Sequence, residues 1–188
     1  MALRAPLAAV ALALAALAAP AAACAQGRPA RPSARSVTAD REEWLGERTA
    51  LMTTLGVWSA VNVGLGATLV LRPGGADPAT RVARRSFGAI GLAYGLINGV
   101  LAAASLAATP ALRRDLAASG DVAGQRRRSA DVFTANAALD MFYVSVGAAL
   151  ATRGGGPIAR GAGVGFLVQG TFLLGFDSMG AATYKLRL

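Results

Sequence analysis

One polar side chain lies near the middle of each of four apolar segments, where it could bind a proton, an ion or a small polar ligand. The four residues are Asn62, Asn98, Asp140 and Gln169. Polar groups inside an apolar, membrane-spanning segment are unfavourable by a few kcal/mol when they have no partner. We therefore expect them to face inward and to hydrogen-bond one another.

Further polar and aromatic residues share helical faces with these four, because they lie three, four or eight positions away. They are Trp58 before Asn62, Tyr94 before Asn98, Asn136 and Tyr143 on either side of Asp140, and Asp177 two turns after Gln169. If successive helices alternate in direction, Trp58, Asn136 and Asp177 lie in one half of the membrane. Tyr94 and Tyr143 then lie in the other half.

Asp140 is the most informative of these residues, because no Lys, Arg or His lies within the four segments to pair with it. Its carboxyl group should either be neutral or be held by several amide and hydroxyl donors. Two interpretations stay open. The polar residues form hydrogen bonds that fix the helix register, or they form a buried site for a proton, an ion or a small polar ligand.

Other chemistry is limited by what the sequence lacks. It contains no His, and its only Cys is Cys24. Haem ligation, His-based metal sites and His-based acid–base catalysis are therefore excluded, as is a disulfide within the chain. The Ser residues have no evident base, so we expect no catalytic residues, no metal, no cofactor and no enzymatic activity.

The segments that carry the polar residues have the length and composition of transmembrane helices. Of the 188 residues, 54% are apolar and 15% are charged, against about a quarter charged in soluble domains. The predicted spans are residues 50–71, 87–108, 130–152 and 161–182, each about 30 Å long as a helix. The pattern predicts an all-α protein, a four-helix transmembrane bundle over residues 44–188. Short connections predict that helices adjacent in sequence pack antiparallel, with room for a short helix only between the second and third spans.

The N-terminus is typical of an export signal followed by a tether. Residues 1–25 contain one Arg, an apolar stretch and a small-x-small cleavage pattern that includes Cys24. The four residues that end at Cys24 also resemble a bacterial lipobox, and an uncleaved anchor is the third alternative. Residues 26–43 are predicted to be a flexible tether. Asp40 is predicted to cap the following helix, with Glu43 in the capping-box position and Trp44 at the headgroup level.

The charged residues indicate a membrane location rather than nucleic-acid binding. There are 19 Lys and Arg against 10 Asp and Glu, and the arginines form short clusters between the apolar segments. The signal places the mature N-terminus outside, whereas the distribution of cations favours the opposite orientation, so the topology stays open. The Ala, Gly and Arg bias is typical of a GC-rich bacterium, and the predicted location is the bacterial inner membrane.

Small residues recur at four-residue spacing and predict close helix packing. They are Gly91, Gly95 and Gly99 on the second span, Gly161 and Gly165 on the fourth, and Gly56, Ala60, Gly64 and Thr68 on the first. Packing within the chain and a homodimer face are both compatible with these stretches.

The chain resembles a family of small four-helix bacterial membrane proteins whose function is unassigned. The similarity runs from Trp44 to the C-terminus. It is carried by Trp58-x3-Asn62-x-Gly64, by Asn98, by Asn136-x2-Leu139-Asp140-x2-Tyr143-x3-Gly147 and by Gly161-x-Gly163-x5-Gln169-Gly170-x-Phe172-Leu173-Leu174-x-Phe176-Asp177. The resemblance implies the four-helix fold and no particular activity.

Two functional hypotheses follow. The first is a structural or interaction protein of the bacterial envelope, with a hydrogen-bonded polar core, that binds membrane lipid, a second copy or another membrane protein. The second is a small transporter or a proton- or ion-conducting element centred on Asp140.

Overall fold

A computed structural model describes residues 34–188 of the chain as five α-helices. They are α1 (Ala34–Leu71), α2 (Pro78–Ala107), α3 (Thr109–Ser119), α4 (Val122–Arg153) and α5 (Pro157–Lys185). No strand occurs in these residues, which confirms the all-α fold class. The predicted signal with Cys24, and residues 26–33 of the predicted tether, lie outside the described residues.

Capping aspartates, a left-handed glycine and prolines mark the points where the helices begin and end. Asp77 caps α2 by accepting a hydrogen bond of 2.8 Å from the backbone N–H of Thr80. Asp121 caps α4 in the same way, through the N–H of Gly124 at 2.9 Å. Gly120 closes α3 with φ of 69°, a left-handed conformation that glycine adopts without steric cost. Pro78 and Pro157 open α2 and α5, where a missing N–H does no harm.

The predicted tether is wrong for residues 34–43, which are helical and continuous with the first span. These ten positions contain no Pro or Gly, unlike residues 26–33, so nothing in them interrupts a helix. Asp40 is therefore not a helix cap, and its carboxylate instead accepts from Arg126 at 2.7 Å. Trp44 is buried against Tyr184, and its location at the headgroup level stays a prediction.

Four of the five helices are long and apolar enough to cross a membrane, which agrees with the four predicted spans. Large apolar side chains cover their outer faces, and Ile97, Val100 and Phe142 are each more than half exposed at 61%, 69% and 61%. Buried polar residues lie between the helices. An apolar exterior around a partly polar interior is the arrangement that lipid favours. The remaining helix, α3, is the short one expected between the second and third spans.

The last helix, α5, is the most buried and lies at the centre of the packing. It packs along α4 and along α2, and α2 packs along α1. The backbone of Gly161 contacts Ala83, and that of Gly165 contacts Ile90, so residue numbers in α5 and α2 rise together. These two helices are therefore parallel.

The predicted antiparallel packing of sequence neighbours is wrong for α2 and α4. Their backbones make no extensive contact, because α3 carries the chain across the bundle and α5 packs between them. One end of the bundle, the termini end, holds the start of α1, the end of α5 and α3. The other end, the turn end, holds the α1–α2 and α4–α5 connections.

Candidate functional site

Gln169 is the centre of the first polar cluster, which joins α5 to α1. Its side-chain oxygen accepts a hydrogen bond of 3.1 Å from the indole N–H of Trp58. Its side-chain N–H donates to the Oδ1 of Asn62. The Asn62 amide in turn donates to the backbone oxygen of Trp58 at 2.8 Å. Trp58 also stacks on Phe172 with ring centroids 4.0 Å apart. Two of the four midspan residues, Asn62 and Gln169, therefore bind each other directly.

Asp140 and Asp177 form the second cluster, which joins α4 to α5. Their carboxyl groups lie within hydrogen-bond reach of each other, and the side chain of Asn136 reaches Asp177. Both carboxyl groups are buried, with 3% of Asp140 exposed. A hydrogen bond between two carboxyl groups requires a proton on one of them. The Oδ2 atom of Asp140 accepts from no N–H or hydroxyl group among residues 34–188.

Asn136 departs from the expectation that every polar residue faces inward, because it is exposed. The helices α1 and α4 make only slight contact, so this side of α4 is not covered by α1. Asn136 nevertheless lies beside Asp177, in the same half of the bundle, as the sequence predicts.

Tyr94 and Tyr143 meet in the other half of the bundle. Their rings are 5.9 Å apart in an edge-to-face arrangement, and both contact Phe166. Tyr94 also lies close enough to Asp140 for an electrostatic interaction. These three aromatic rings form the principal side-chain contact between α2 and α4. They lie between the level of Asp140 and the turn end of the bundle.

Asn98 does not join either cluster. It is buried, with 7% of the residue exposed, and its Nδ2 has no hydrogen-bond partner within residues 34–188. The polar contact between α1 and α2 instead uses Ser59, whose hydroxyl donates to the backbone oxygen of Gly95. Sequence reasoning missed Ser59, although its place three residues before Asn62 gives it a neighbouring face of the helix.

Every glycine predicted on the second and fourth spans lies at or near a helix–helix contact. Gly95 and Gly99 face Ser59, Gly91 lies near Asn62 and Gln169, and Gly161 and Gly165 contact α2. On the first span, Gly56 lies near Ala102 of α2, but packing within the chain is wrong for the other three residues, for which a homodimer face stays a prediction. Ala60, Gly64 and Thr68 are exposed, whereas Gly66 contacts the backbone of α2.

A cluster of ion pairs at the termini end was also missed. Arg126 is only 1% exposed and pairs with Asp40 at 2.7 Å and with Glu47 at 2.8 Å. Arg187 pairs with Glu47 as well, at 2.9 Å. The sequence places Arg126 in a run of three arginines that looks like a membrane-flanking cluster. The spacing of Asp40, Glu43 and Glu47 along one helical face was the available signal.

The interior holds interhelical hydrogen bonds and two neighbouring buried carboxyl groups, those of Asp140 and Asp177. Within residues 34–188 no three His, Cys, Asp or Glu side chains are placed to hold a metal ion. The fold and these clusters define a multi-pass, all-helical membrane protein with buried polar contacts between its spans.

The family is shown by a match over residues 54–178 to the family of unknown function DUF6992. This stretch is well over half of the chain, so the protein belongs to that family. It starts inside α1, later than the resemblance from Trp44, and ends within α5. No curated protein and no solved structure matches the chain.

Proposed function

We propose that this protein is a structural or interaction protein of the bacterial envelope, located in the inner membrane, and that it is not an enzyme. Its partners are membrane lipid and either a second copy or another membrane protein. The observation that carries the proposal is the pair of hydrogen bonds in which Gln169 accepts from Trp58 and donates to Asn62. These bonds use both polar atoms of the Gln169 side chain to fasten α1 to α5.

The physical reason is that lipid supplies no hydrogen-bond partners and little hydrophobic force between helices. Bundles in membranes are therefore held by close packing and by interhelical hydrogen bonds. Gln169 fastens α1, Asp177 contacts α4 through Asp140, and the glycines of α5 contact α2. The central helix α5 therefore contacts all three of the other long helices, an arrangement that suits a compact scaffold.

The test is proton and solute flux in liposomes that contain the purified protein. The scaffold role predicts flux equal to that of protein-free liposomes, for the wild type and for Asp140→Asn alike. Wild-type flux above that background would contradict it.

A second function is favoured by the contact between Asp140 and Asp177. Two carboxyl groups that share one proton can release and rebind it, which is the chemistry of a small transporter or a proton-conducting element. This function predicts wild-type proton flux that Asp140→Asn abolishes. Asp131→Asn is the matched control, because Asp131 is exposed near the start of the same helix. Equal flux in both variants would contradict a role for Asp140.

A further inference from the structure

The two ends of the bundle differ in how their cations are neutralised. The turn end carries six exposed arginines, which we call the arginine end: Arg72, Arg81, Arg84, Arg85, Arg153 and Arg160. Its only acidic residue in the sequence is Asp77, whose carboxylate accepts hydrogen bonds from the N–H and the hydroxyl of Thr80. Among residues 34–188, the six arginines at this end of the bundle are accompanied by a single carboxylate, which is hydrogen-bonded to Thr80.

The termini end is different, because several of its arginines pair with acidic residues. Arg126 binds Asp40 and Glu47, and Arg113 binds Glu42 at 3.0 Å. Membrane-flanking cations are themselves usually in excess at the cytoplasmic end, so the placement of individual arginines must define a binding site. The turn end has six arginines and one carboxylate, a local excess of positive charge that an external anion could neutralise.

Two of the arginines are held in place by the backbone of the α1–α2 turn. Arg81 donates to the backbone oxygen of Gly75 at 3.0 Å, and Arg85 donates to that of Val70 at 3.1 Å. Each guanidinium group has five N–H groups, so both retain donors for a ligand. With Pro73, Pro78 and Val82 they line an open pocket of about 190 Å³.

The pocket has both the charge and the apolar walls that a lipid headgroup requires. Pro73, Pro78 and Val82 supply apolar surface beside the guanidinium groups. Ile158 is exposed at the same end of the bundle, where the apolar outer faces of the helices end. Arginine binds phosphate through two parallel N–H bonds, and basic pockets beside membrane helices bind anionic lipids.

We propose that the arginine end binds the phosphate group of an anionic phospholipid, with Arg81 and Arg85 as the primary contacts. This deepens the proposed interaction role by naming its lipid partner, and it rests on the membrane location in that proposal. It does not depend on whether the polar interior is structural.

The experiment measures lipid binding to the full-length protein in detergent by native mass spectrometry. The probes are phosphatidylglycerol, phosphatidylcholine and inorganic phosphate. We expect phosphatidylglycerol to bind more tightly than phosphatidylcholine. Arg81→Gln/Arg85→Gln should weaken that binding roughly tenfold or more. Arg127→Gln/Arg128→Gln removes the same charge from two exposed residues of α4 near the termini end and should leave the binding unchanged.

Arg72→Gln/Arg84→Gln is the second variant, because the loss of Arg81 and Arg85 also removes contacts within the α1–α2 turn. It should weaken phosphatidylglycerol binding while those contacts persist. Equal weakening in the Arg127/Arg128 control would show a net-charge effect and overturn the site. Equal binding of the two lipids would overturn it too, as would competition by millimolar inorganic phosphate, which would show a site for free phosphate. The two proposals can fail separately. If the wild-type protein shows no flux and binds both lipids equally, the lipid site is overturned but the scaffold role is not.

Discussion

The indole nitrogen of Trp58 donates a hydrogen bond of 3.1 Å to the side-chain oxygen of Gln169. These residues are 111 positions apart in the sequence and lie on the first and last long helices. The contact joins α1 to the central helix α5 through side chains, whereas the backbone of α1 packs mainly on α2.

This hydrogen bond should have a measurable coupling energy. Gln169→Leu leaves the buried Oδ1 of Asn62 without its donor, so we expect a loss of about 1–3 kcal/mol of unfolding free energy. Trp58→Phe keeps an aromatic ring on Phe172 and removes the N–H together with the five-membered ring that carries it. A double-mutant cycle on unfolding in detergent should give a coupling of about 0.6–1.7 kcal/mol. Additive effects of the two substitutions would contradict the contact.

Much of the architecture could be predicted from the sequence. The four spans, the all-α class and the short helix between the second and third spans follow from hydropathy and from Pro and Gly positions. The midspan pattern also identified Asn62 and Gln169, which bind each other. These features depend on local composition and on helical periodicity, which a single sequence contains.

What the sequence could not supply is the arrangement of helices around one another. That α2 packs on α5 rather than on α4 depends on where α3 directs the chain, and no local pattern records that. Arg126 was interpreted as a membrane-flanking cation because its acidic partners lie 79 and 86 positions away. The face of α1 that packs on α2 is offset from the predicted small-residue face by two positions, from Gly64 to Gly66.

Two glycines of α1 provide a matched test of helix packing. A Cβ at Gly66 would lie 2.6 Å from the backbone nitrogen of Leu92 and 2.7 Å from the backbone oxygen of Gly88. Backbone atoms cannot move aside cheaply, so Gly66→Ala should cost about 1–3 kcal/mol of stability. Nothing lies within 4 Å of a Cβ at Gly64. Gly64→Ala should be neutral or stabilise by up to about 1 kcal/mol. Unfolding midpoints in detergent distinguish the two, and equal effects would contradict the packing of α1 on α2.

Arg126 should be far more important for stability than the arginines that follow it. Its removal leaves the mostly buried Glu47 without one of its cations, and breaking a buried ion pair costs about 3 kcal/mol. We therefore expect Arg126→Gln to lower the unfolding free energy by about this amount. Arg127→Gln changes an exposed neighbour and should stay within about 0.5 kcal/mol of the wild type. Similar stability of the two variants in chemical unfolding would show that the buried pairs contribute little.

Asp77 should make the start of α2 sensitive to acid. Hydrogen bonds from the hydroxyl and the backbone N–H of Thr80 lower the pKa of the exposed Asp77 carboxyl below its ordinary value of 3.8. Its stabilising contribution is therefore complete above about pH 4 and is lost as the pH falls through the lower folded-state pKa.

Asp77→Ala should lower the unfolding midpoint by roughly 2–4 °C at neutral pH. The difference from the wild type should shrink as the pH falls below about 4. Asp77→Asn is the control, since an amide can cap the helix without titrating at these pH values. A difference that stays constant down to about pH 2 would show that the carboxylate is not the stabilising species.

The central claim is that the buried polar contacts hold the bundle together. The most direct measurement is the unfolding midpoint in detergent of the wild type and of Asp140→Leu, across about pH 5 to 9. If Asp140 and Asp177 fasten α4 to α5, Leu leaves Asp177 without its partner and should cost about 1–3 kcal/mol, or several degrees. A neutral or stabilising effect of Asp140→Leu at every pH would contradict the claim, and Asp140 would then be the first residue to test for proton flux.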